Sequence, residues 1–437
     1  MIWSRYNFVF RSERHGGLLY NALTNSFLAV PEALYGRVAN LKEGDLFDCD
    51  DLGLSLQLMA AGALVESGED DRRRDVLRLR MRERAFSTDY PRLIIAPTMG
   101  CNCACPYCFE KSHAPVHMDE RTEDALVEFT RRFLPARVLL VTWFGGEPLL
   151  RFDQIRRLTR KLRKLPFKGY NATLITNGTL LTDEVITHLE ELAIKMVQIT
   201  LDGPQETHDS RRRLATGGGT YETILGNLDA LFRSDWTGRV RIRVNLDRTN
   251  KDRYAEIYRY LKERYRDYAD RIHIYSGITV YHDTVTNPDY GCGLPPDEFA
   301  AFALDELKAN GIETRFSYPG LASFGCLATA LNAFVVGPTG DLYKCLETLG
   351  DRKMRVGSVF PDEPWNNELL ARFMEGENAL NDPKCLACKC FPICDGGCPH
   401  MRILGGNACA YFKNYLPQLL EAYWERKIRQ KEKKTDE

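Results

Sequence analysis

Between residues 90 and 280, short apolar runs alternate with amphipathic stretches. The runs Arg92–Pro97, Val138–Phe144, Asn171–Thr176, Met196–Leu201, Arg239–Leu246 and Ile272–Val280 predict six strands. Between them, apolar residues at three- and four-residue spacing predict helices near 118–134, 153–164, 182–193, 220–235 and 253–268. Strands alternating with helices in this way make a parallel α/β sheet, open or closed into a barrel, with right-handed connections. Ligands in such folds bind at the carboxyl ends of the strands. Chemistry is therefore expected in the segments that follow each strand.

The flanks follow other patterns. Residues 1–66 predict a small α+β unit, in which Tyr6–Phe10 is strand-like and Leu18–Tyr20 and Ser26–Val30 flank the turn-forming Asn21–Asn25 stretch. Helices are predicted from Pro31 to about Lys42 and over Asp51–Gly62. Residues 67–89 form a charge-dense linker, where Val76, Leu77 and Met81 predict a helix lying on a surface with its arginines solvated. Residues 286–424 lose the alternation, apart from a hairpin predicted over Phe334–Lys344 around Gly337, Pro338, Thr339 and Gly340. A loop-rich region of that length needs another source of order, which metal can supply. Residues 425–437 are a charged tail.

At 437 residues, the chain has the length of about three domains. Its 59 Lys and Arg against 60 Asp and Glu exclude a broadly basic nucleic-acid binder. The longest apolar run, Leu58–Val65, is too short to span a bilayer, and no signal-peptide pattern opens the chain. These features predict a cytoplasmic protein with neither a nucleic-acid nor a membrane partner. The fourteen cysteines alter the picture, because all but Cys49 and Cys292 fall in two clusters, 101–108 and 326–409. Close spacing of this kind points to thiolates converging on metal, and a secreted disulfide scaffold fits poorly.

Directly after the first predicted strand, Cys101, Cys105 and Cys108 are spaced C-x3-C-x2-C, with Tyr107 before the last. Three thiols on one loop suit a four-iron, four-sulfur cluster with one iron left open, whereas zinc normally takes two separated pairs. A zinc or free-thiol loop is the alternative. With this motif, residues 90–285 resemble the radical S-adenosylmethionine (SAM) superfamily. The resemblance implies a partial (β/α)6 barrel in which the three cysteines hold the cluster. It also implies that SAM chelates the open iron and is cleaved to methionine and a 5′-deoxyadenosyl radical. Cys103 stands where a bulky apolar residue is common and reads as a small hydrophobe, with a ligand swap as the alternative. Gly145, Gly146, Glu147 and Pro148 resemble the family's motif beside the methionine amino group. On that reading the glycines let backbone approach the ligand and Glu147 accepts from its ammonium. Thr176 and Asn177 end the third strand, and Thr200 and Asp202 are placed by resemblance near the ribose or methionine. Arg212 or its neighbour Arg211 would pair with the cofactor carboxylate, against the alternative of a surface ion pair, and Asn245 would face the cofactor.

The second cluster reads Cys326-x13-Gly340-x4-Cys345, then Cys385-x2-Cys388-x5-Cys394-x3-Cys398, then Cys409. All seven cysteines match the SPASM extension of radical SAM enzymes, a loop-rich domain implied to bind up to two auxiliary 4Fe-4S clusters, which makes three clusters in the chain. By family pattern Cys385, Cys388, Cys394 and Cys409 hold one, and Cys326, Cys345 and Cys398 hold the other. Some relatives supply a fourth ligand just before the Cys326 position, where Tyr318, Pro319 and Gly320 stand here. Cys292, Cys390 or a substrate thiolate is left to complete that cluster, with ordinary buried thiols as the alternative.

Residues 1–66 resemble, at the level of pattern only, the winged-helix-like PqqD-type element that binds a leader peptide as an added strand. The edge would be Ser26–Val30 and the adjacent helix Asp51–Gly62, and a simple capping domain is the alternative. Together these resemblances imply an enzyme that matures a ribosomally made precursor peptide. It would take electrons from a reductase, flavodoxin or ferredoxin, and its expected product is a Cys thioether. Carbon–carbon cross-linking and formylglycine formation by a sulfatase maturase are alternatives of the same chemistry. Sulfatase maturases usually carry Asp after the second SPASM cysteine, whereas here Leu346 follows Cys345, and Glu347 is the candidate catalytic base. A non-catalytic iron–sulfur electron carrier is the alternative of another class. Tyr281, His282 and His400 read first as structural residues.

Overall fold

Alternation along each strand sorts the barrel segment into two faces. In β10 (Arg239–Leu246), Val240, Ile242, Val244 and Leu246 are buried. Arg243 and Asn245 point the other way and line a cavity. The same holds in β9 (Ile194–Thr200), where Val197 and Ile199 are buried and Gln198 and Thr200 line that cavity. This polar, half-open face carries the site described below. The computed structural model describes residues 1–48, 51–110, 115–278, 292–314, 320–323, 325–394, 396–406 and 409–435. They form two compact units: residues 87–299 with 330–373, and residues 1–86 with 300–329 and 374–437.

The smaller unit contains an antiparallel meander of β2 (Asn7–Ser12), β3 (Gly16–Asn21) and β4 (Ser26–Val30). A second pair, β1 (Ile2–Trp3) with β5 (Leu64–Val65), was not legible in the sequence. Helices α1 (Glu32–Val38) and α2 (Leu52–Ala60) follow the meander. Leu19, Val30, Val38, Leu58 and Leu64 share one core with Trp3. The opposite face is also covered, since Tyr6, Tyr20 and Ala22 pack with Leu416, Leu419 and Leu420 of the C-terminal helix Leu416–Thr435. The charged linker forms α3 (Glu69–Ala85), with Met81 buried against Ala379, Leu380 and Phe391. Its arginines are not all solvated as expected. Arg78 donates to Leu380 O (3.0 Å), Arg82 to Asn381 Oδ1 (2.7 Å) and Arg84 to Ser323 O (3.2 Å).

In the larger unit β6 (Arg92–Ile95), β7 (Val138–Trp143), β8 (Gly169–Thr176), β9, β10 and β11 (Ile272–Ile278) pair in chain order, all parallel. The last two residues expected in β11, Thr279 and Val280, lie outside the described residues, as do Cys49, Tyr281, His282, Tyr318 and Pro319. Helices α4 (Glu120–Arg131), α5 (Phe152–Arg163), α6 (Asp183–His188), α7 (Gln205–Arg211), α8 (Tyr221–Arg233) and α9 (Tyr254–Arg264) lie between the strands. Asp119 caps α4 by accepting from Thr122 N at 2.8 Å. On the inner side of α4, fully buried Glu123 accepts from Gln154, Arg157 and Lys161. Helix α6 is shorter than the expected 182–193, and the chain closes instead on Ala193 at a left-handed φ of 53°.

The predicted hairpin forms as β12 (Ala333–Val336) and β13 (Asp341–Tyr343), with β14 (Gly357–Ser358) beyond it. Its position is a finding of the structure. β12 pairs in parallel with β6, Ala333 opposite Arg92 and Val336 opposite Ile95, so the sheet runs to nine strands. Lys344 is fully buried and donates to the carbonyl of Ala333 at 2.8 Å, which fixes the approach to β12. Among the described residues, no helix is long and apolar enough to cross a membrane.

Candidate functional site

The loop after β6 carries the first thiols and is strapped to two neighbouring segments by backbone hydrogen bonds. Met99 N donates to Val116 O (3.0 Å), Ala104 N to Arg213 O (3.0 Å) and Ala215 N to Asn102 O (2.8 Å). Inside, Thr98 Oγ1 accepts from Gly100 N at 2.9 Å. The end of β7 lies directly on this loop. Glu147 N donates to Gly100 O (2.9 Å) and Gly146 N to Thr98 O (3.2 Å). A Cβ on Gly146 would stand 2.2 Å from Gly100 O, and one on Gly145 would stand 2.3 Å from Thr98 O. Both glycines were expected to admit a ligand; they line the cavity described below and also admit the cysteine loop's own backbone.

Glu147 is likewise turned to protein. It is fully buried, and its two oxygens accept from Leu149 N (3.0 Å), Thr176 Oγ1 (2.8 Å) and Asn177 N (2.7 Å). Burial pushes its carboxyl up to about 7 against these hydrogen bonds. The expected ammonium acceptor thus holds the ends of β7 and β8 together, and Pro148 begins the buried turn behind it. Asn177 continues the lattice, donating to Asn102 Oδ1 at 2.7 Å and approaching Cys101 Sγ at 3.9 Å.

A cavity of about 270 Å³ opens at this end of the sheet. Of the residues singled out in the sequence, Cys101, Cys105, Cys108, Tyr107, Gly145, Gly146, Thr176, Asn177, Thr200, Arg212, Asn245 and Glu347 all line it. Glu147, Pro148 and Asp202 do not line it. Asp202 instead hydrogen-bonds the Tyr107 hydroxyl and accepts from Asn245 N at 3.0 Å. Arg212 donates to the same hydroxyl at 2.6 Å and Asn245 Nδ2 at 3.3 Å. The neighbouring Arg211 is ion-paired with Asp247 and Asp202, its guanidinium 4.8 Å from the Tyr107 ring centre. Of the two arginines, Arg212 therefore faces the cavity and Arg211 anchors the wall. His208 accepts from Asp202 N (3.2 Å) on Nδ1, so Nε2 donates to Thr220 Oγ1 (2.9 Å), and burial keeps the ring neutral.

Three polar lining residues escaped the sequence reading, Glu110, Gln198 and Arg243, along with apolar ones such as Ile175 and Ile278. Gln198 and Arg243 precede Thr200 and Asn245 by two positions, so strand periodicity alone would have found them. Arg243 donates to Asn245 Oδ1 at 2.6 Å. Glu110 is only 4% exposed, and burial and the nearby Cys101 push its carboxyl up to about 8.

Burial also raises the thiols of Cys105 and Cys108, the latter to about 12. Such thiols deprotonate when a cationic centre replaces the proton. Three soft donors on one strapped loop, facing a cavity, fit an iron–sulfur cluster with one iron open. Cys103 lines the same cavity but is buried and hydrogen-bonded to Cys101.

In the smaller unit, Cys385, Cys388, Cys394 and Cys409 line a second, small cavity of about 40 Å³, and their chemistry fits the same kind of group. Cys390 lines it too, 4% exposed. The structure thus places Cys390 among these thiols. Cys326 and Cys398 belong to the smaller unit, and Cys345 belongs to the larger. Cys292 is half-buried, its carbonyl accepting from Arg248 N at 2.9 Å. His400 is buried in the short helix Pro399–Ile403.

Residues 95–261 match the model of the radical SAM superfamily. The chain is 27% identical over 342 residues to the cysteine-type anaerobic sulfatase-maturating enzyme of Clostridium perfringens (strain 13 / Type A), covering 71% of this chain and 89% of that one. It shares the fold of native anSMEcpe with bound AdoMet and Cp18Cys peptide, with a TM-score of 0.60 at 21% identity over 77% of this chain and 98% of that one. It also shares the fold of Streptococcus suis SuiB bound to precursor peptide SuiA, with a TM-score of 0.54 at 15% identity over 94% of this chain and 99% of that one.

Gly146→Ala is expected to force the end of β7 off the cysteine loop, an overpacking of about 1–3 kcal/mol at that contact. Iron bound after anaerobic reconstitution should fall, while far-ultraviolet circular dichroism stays that of the parent.

Proposed function

We propose that this chain is a radical SAM peptide maturase that removes hydrogen from a ribosomally made precursor and forms a cross-link, a Cys thioether in the preferred reading. The observation that carries it is one cavity bringing Cys101, Cys105 and Cys108 together with Thr200, Arg212, Asn245 and Glu347. A 4Fe-4S cluster on the three thiols, when bound, supplies the electron that splits SAM into methionine and a 5′-deoxyadenosyl radical. Arg212 offers a guanidinium to the cofactor carboxylate, held in place through Tyr107 and Asp202. Thr200 and Asn245 line the same cavity, where Thr200 would stand near the ribose or methionine and Asn245 would face the cofactor. Glu347 takes the proton of the reacting substrate thiol as sulfur bonds to carbon. One electron is then left over, and the C-terminal cysteines would hold the auxiliary clusters that accept it. Flavodoxin, ferredoxin or a reductase is the proposed donor, in a cytoplasmic setting.

The peptide enters the reading through the smaller unit as well. Helix α2 buries Leu58 in the core shared with Val30 of β4 and leaves Leu52 72% and Leu56 55% exposed. Strand β4 has only β3 as partner among the described residues. A free sheet edge and an exposed apolar helix face built on one core suit a peptide added as a strand. SuiB, a protein solved with its precursor peptide, shares its fold over nearly the whole chain, which supports this reading. The sulfatase-maturase relative supports the second reading, oxidation of a Cys or Ser to formylglycine. The Leu346 that follows Cys345 weighs against it.

Anaerobically reconstituted and reduced protein is expected to release 5′-deoxyadenosine from SAM, and Cys105→Ala should abolish it. An iron-loaded parent that releases none is a carrier rather than an enzyme. Coexpressed with its precursor, the enzyme should lower the peptide mass by two hydrogens per cross-link. The change from thiol to aldehyde oxygen would instead mark formylglycine.

Deleting residues 1–66 is a poor test of leader binding, because Tyr6 and Tyr20 share a core with the C-terminal helix. The double variant Leu52→Asp/Leu56→Asp touches only exposed positions. It is expected to weaken leader binding roughly tenfold or more while SAM cleavage is unchanged. Leader affinity equal to the parent's would remove the docking role from this face.

A further inference from the structure

The thiol cavity of the smaller unit is bordered by Arg402, whose side chain is 16% exposed. It is one residue from the end of the helix Pro399–Ile403, which follows Cys398 directly. Every nitrogen of its guanidinium has a target. Nε donates to Gly396 O at 2.7 Å, Nη1 to Asp382 Oδ2 at 3.1 Å and Nη2 to Cys385 Sγ at 2.9 Å. Asp382 in turn caps the short helix Pro383–Leu386, which carries Cys385, by accepting from Lys384 N at 2.9 Å. Gly396 lies between Cys394 and Cys398. One side chain therefore ties together the two turns that carry three of the expected cluster ligands and aims a charged N–H at one sulfur. A surface ion pair would account for the contact with Asp382, but not for the half-buried approach to Cys385 Sγ.

We propose that Arg402 is a positioning residue for an iron–sulfur cluster held by Cys385, Cys388, Cys394 and Cys409, raising its reduction potential through the hydrogen bond to Cys385. This rests on the reading that these thiols hold a cluster. The N–H···S bond draws electron density from sulfur, and the reduced cluster, with one more negative charge, gains more from it than the oxidised one. The guanidinium stays charged at any working pH, so the effect does not fade as pH rises. A cluster tuned in this way is the better electron acceptor, which is the direction that oxidation of a product radical requires.

The test uses the full chain with Cys101, Cys105 and Cys108 changed to Ala, so that only the C-terminal thiols can take up iron. Redox titration followed by electron paramagnetic resonance is run on this parent, on Arg402→Met and on Arg402→Lys. One signal is expected to move to a more negative midpoint in Arg402→Met at unchanged iron content, and partway in Arg402→Lys, which keeps the charge but loses the fork. Full iron with an unmoved midpoint overturns the proposal. Should Arg402→Met lose its iron, Arg402→Lys decides by the same measurement. Loss of iron from both variants makes Arg402 purely structural and also overturns the tuning role. A parent with no iron–sulfur signal overturns the cluster reading itself, and the role with it.

Discussion

Backbone lies on backbone where the end of β7 meets the cysteine loop. Gly145 and Gly146 leave no room for a side chain there, and the hydrogen bond from Glu147 N to Gly100 O closes the contact. The position of Cys101 follows from it, because Gly100 is held from both sides. Glu147 carries the constraint onward. Its carboxylate takes the backbone of Asn177, and Asn177 reaches back to Asn102 and toward Cys101. Three consecutive strand ends are thereby locked around one loop, which fixes where its thiols stand.

The opposite wall is built by charge rather than by close approach. Asp202 and Asp247 hold Arg211, Asp202 and Arg212 hold the Tyr107 hydroxyl, and neutral His208 supports Asp202 from behind. Buried charges persist only when paired, and here each arginine is matched by a carboxylate or a phenol. Arg212 is left facing the cavity with a fixed direction, which is what recognition of a carboxylate asks of it.

The six parallel strands and most of the helices were legible because burial on one face imposes a period that the residues must obey. The thiol loop was legible because metal chemistry constrains spacing. What the sequence did not disclose follows a different physics. β12 is four apolar residues, and nothing local in them says that they will extend β6 across a chain separation of some 240 residues. Glu147 stands in a recognisable motif, yet which partner its carboxylate takes depends on the turn at Asn177, far along the chain. Cys390 could be counted but not placed, since spacing does not show which cavity a fifth thiol will line. Gln198 and Arg243 were within reach, because the period of two that flagged their neighbours also points to them.

An open iron at Cys101, Cys105 and Cys108 is what the proposed chemistry needs first. Mössbauer spectroscopy of iron-enriched protein, before and after SAM is added, reads that iron. A single iron site is expected to change its isomer shift when the cofactor binds. Spectra identical with and without SAM, in protein that carries a full complement of iron on these thiols, would contradict it.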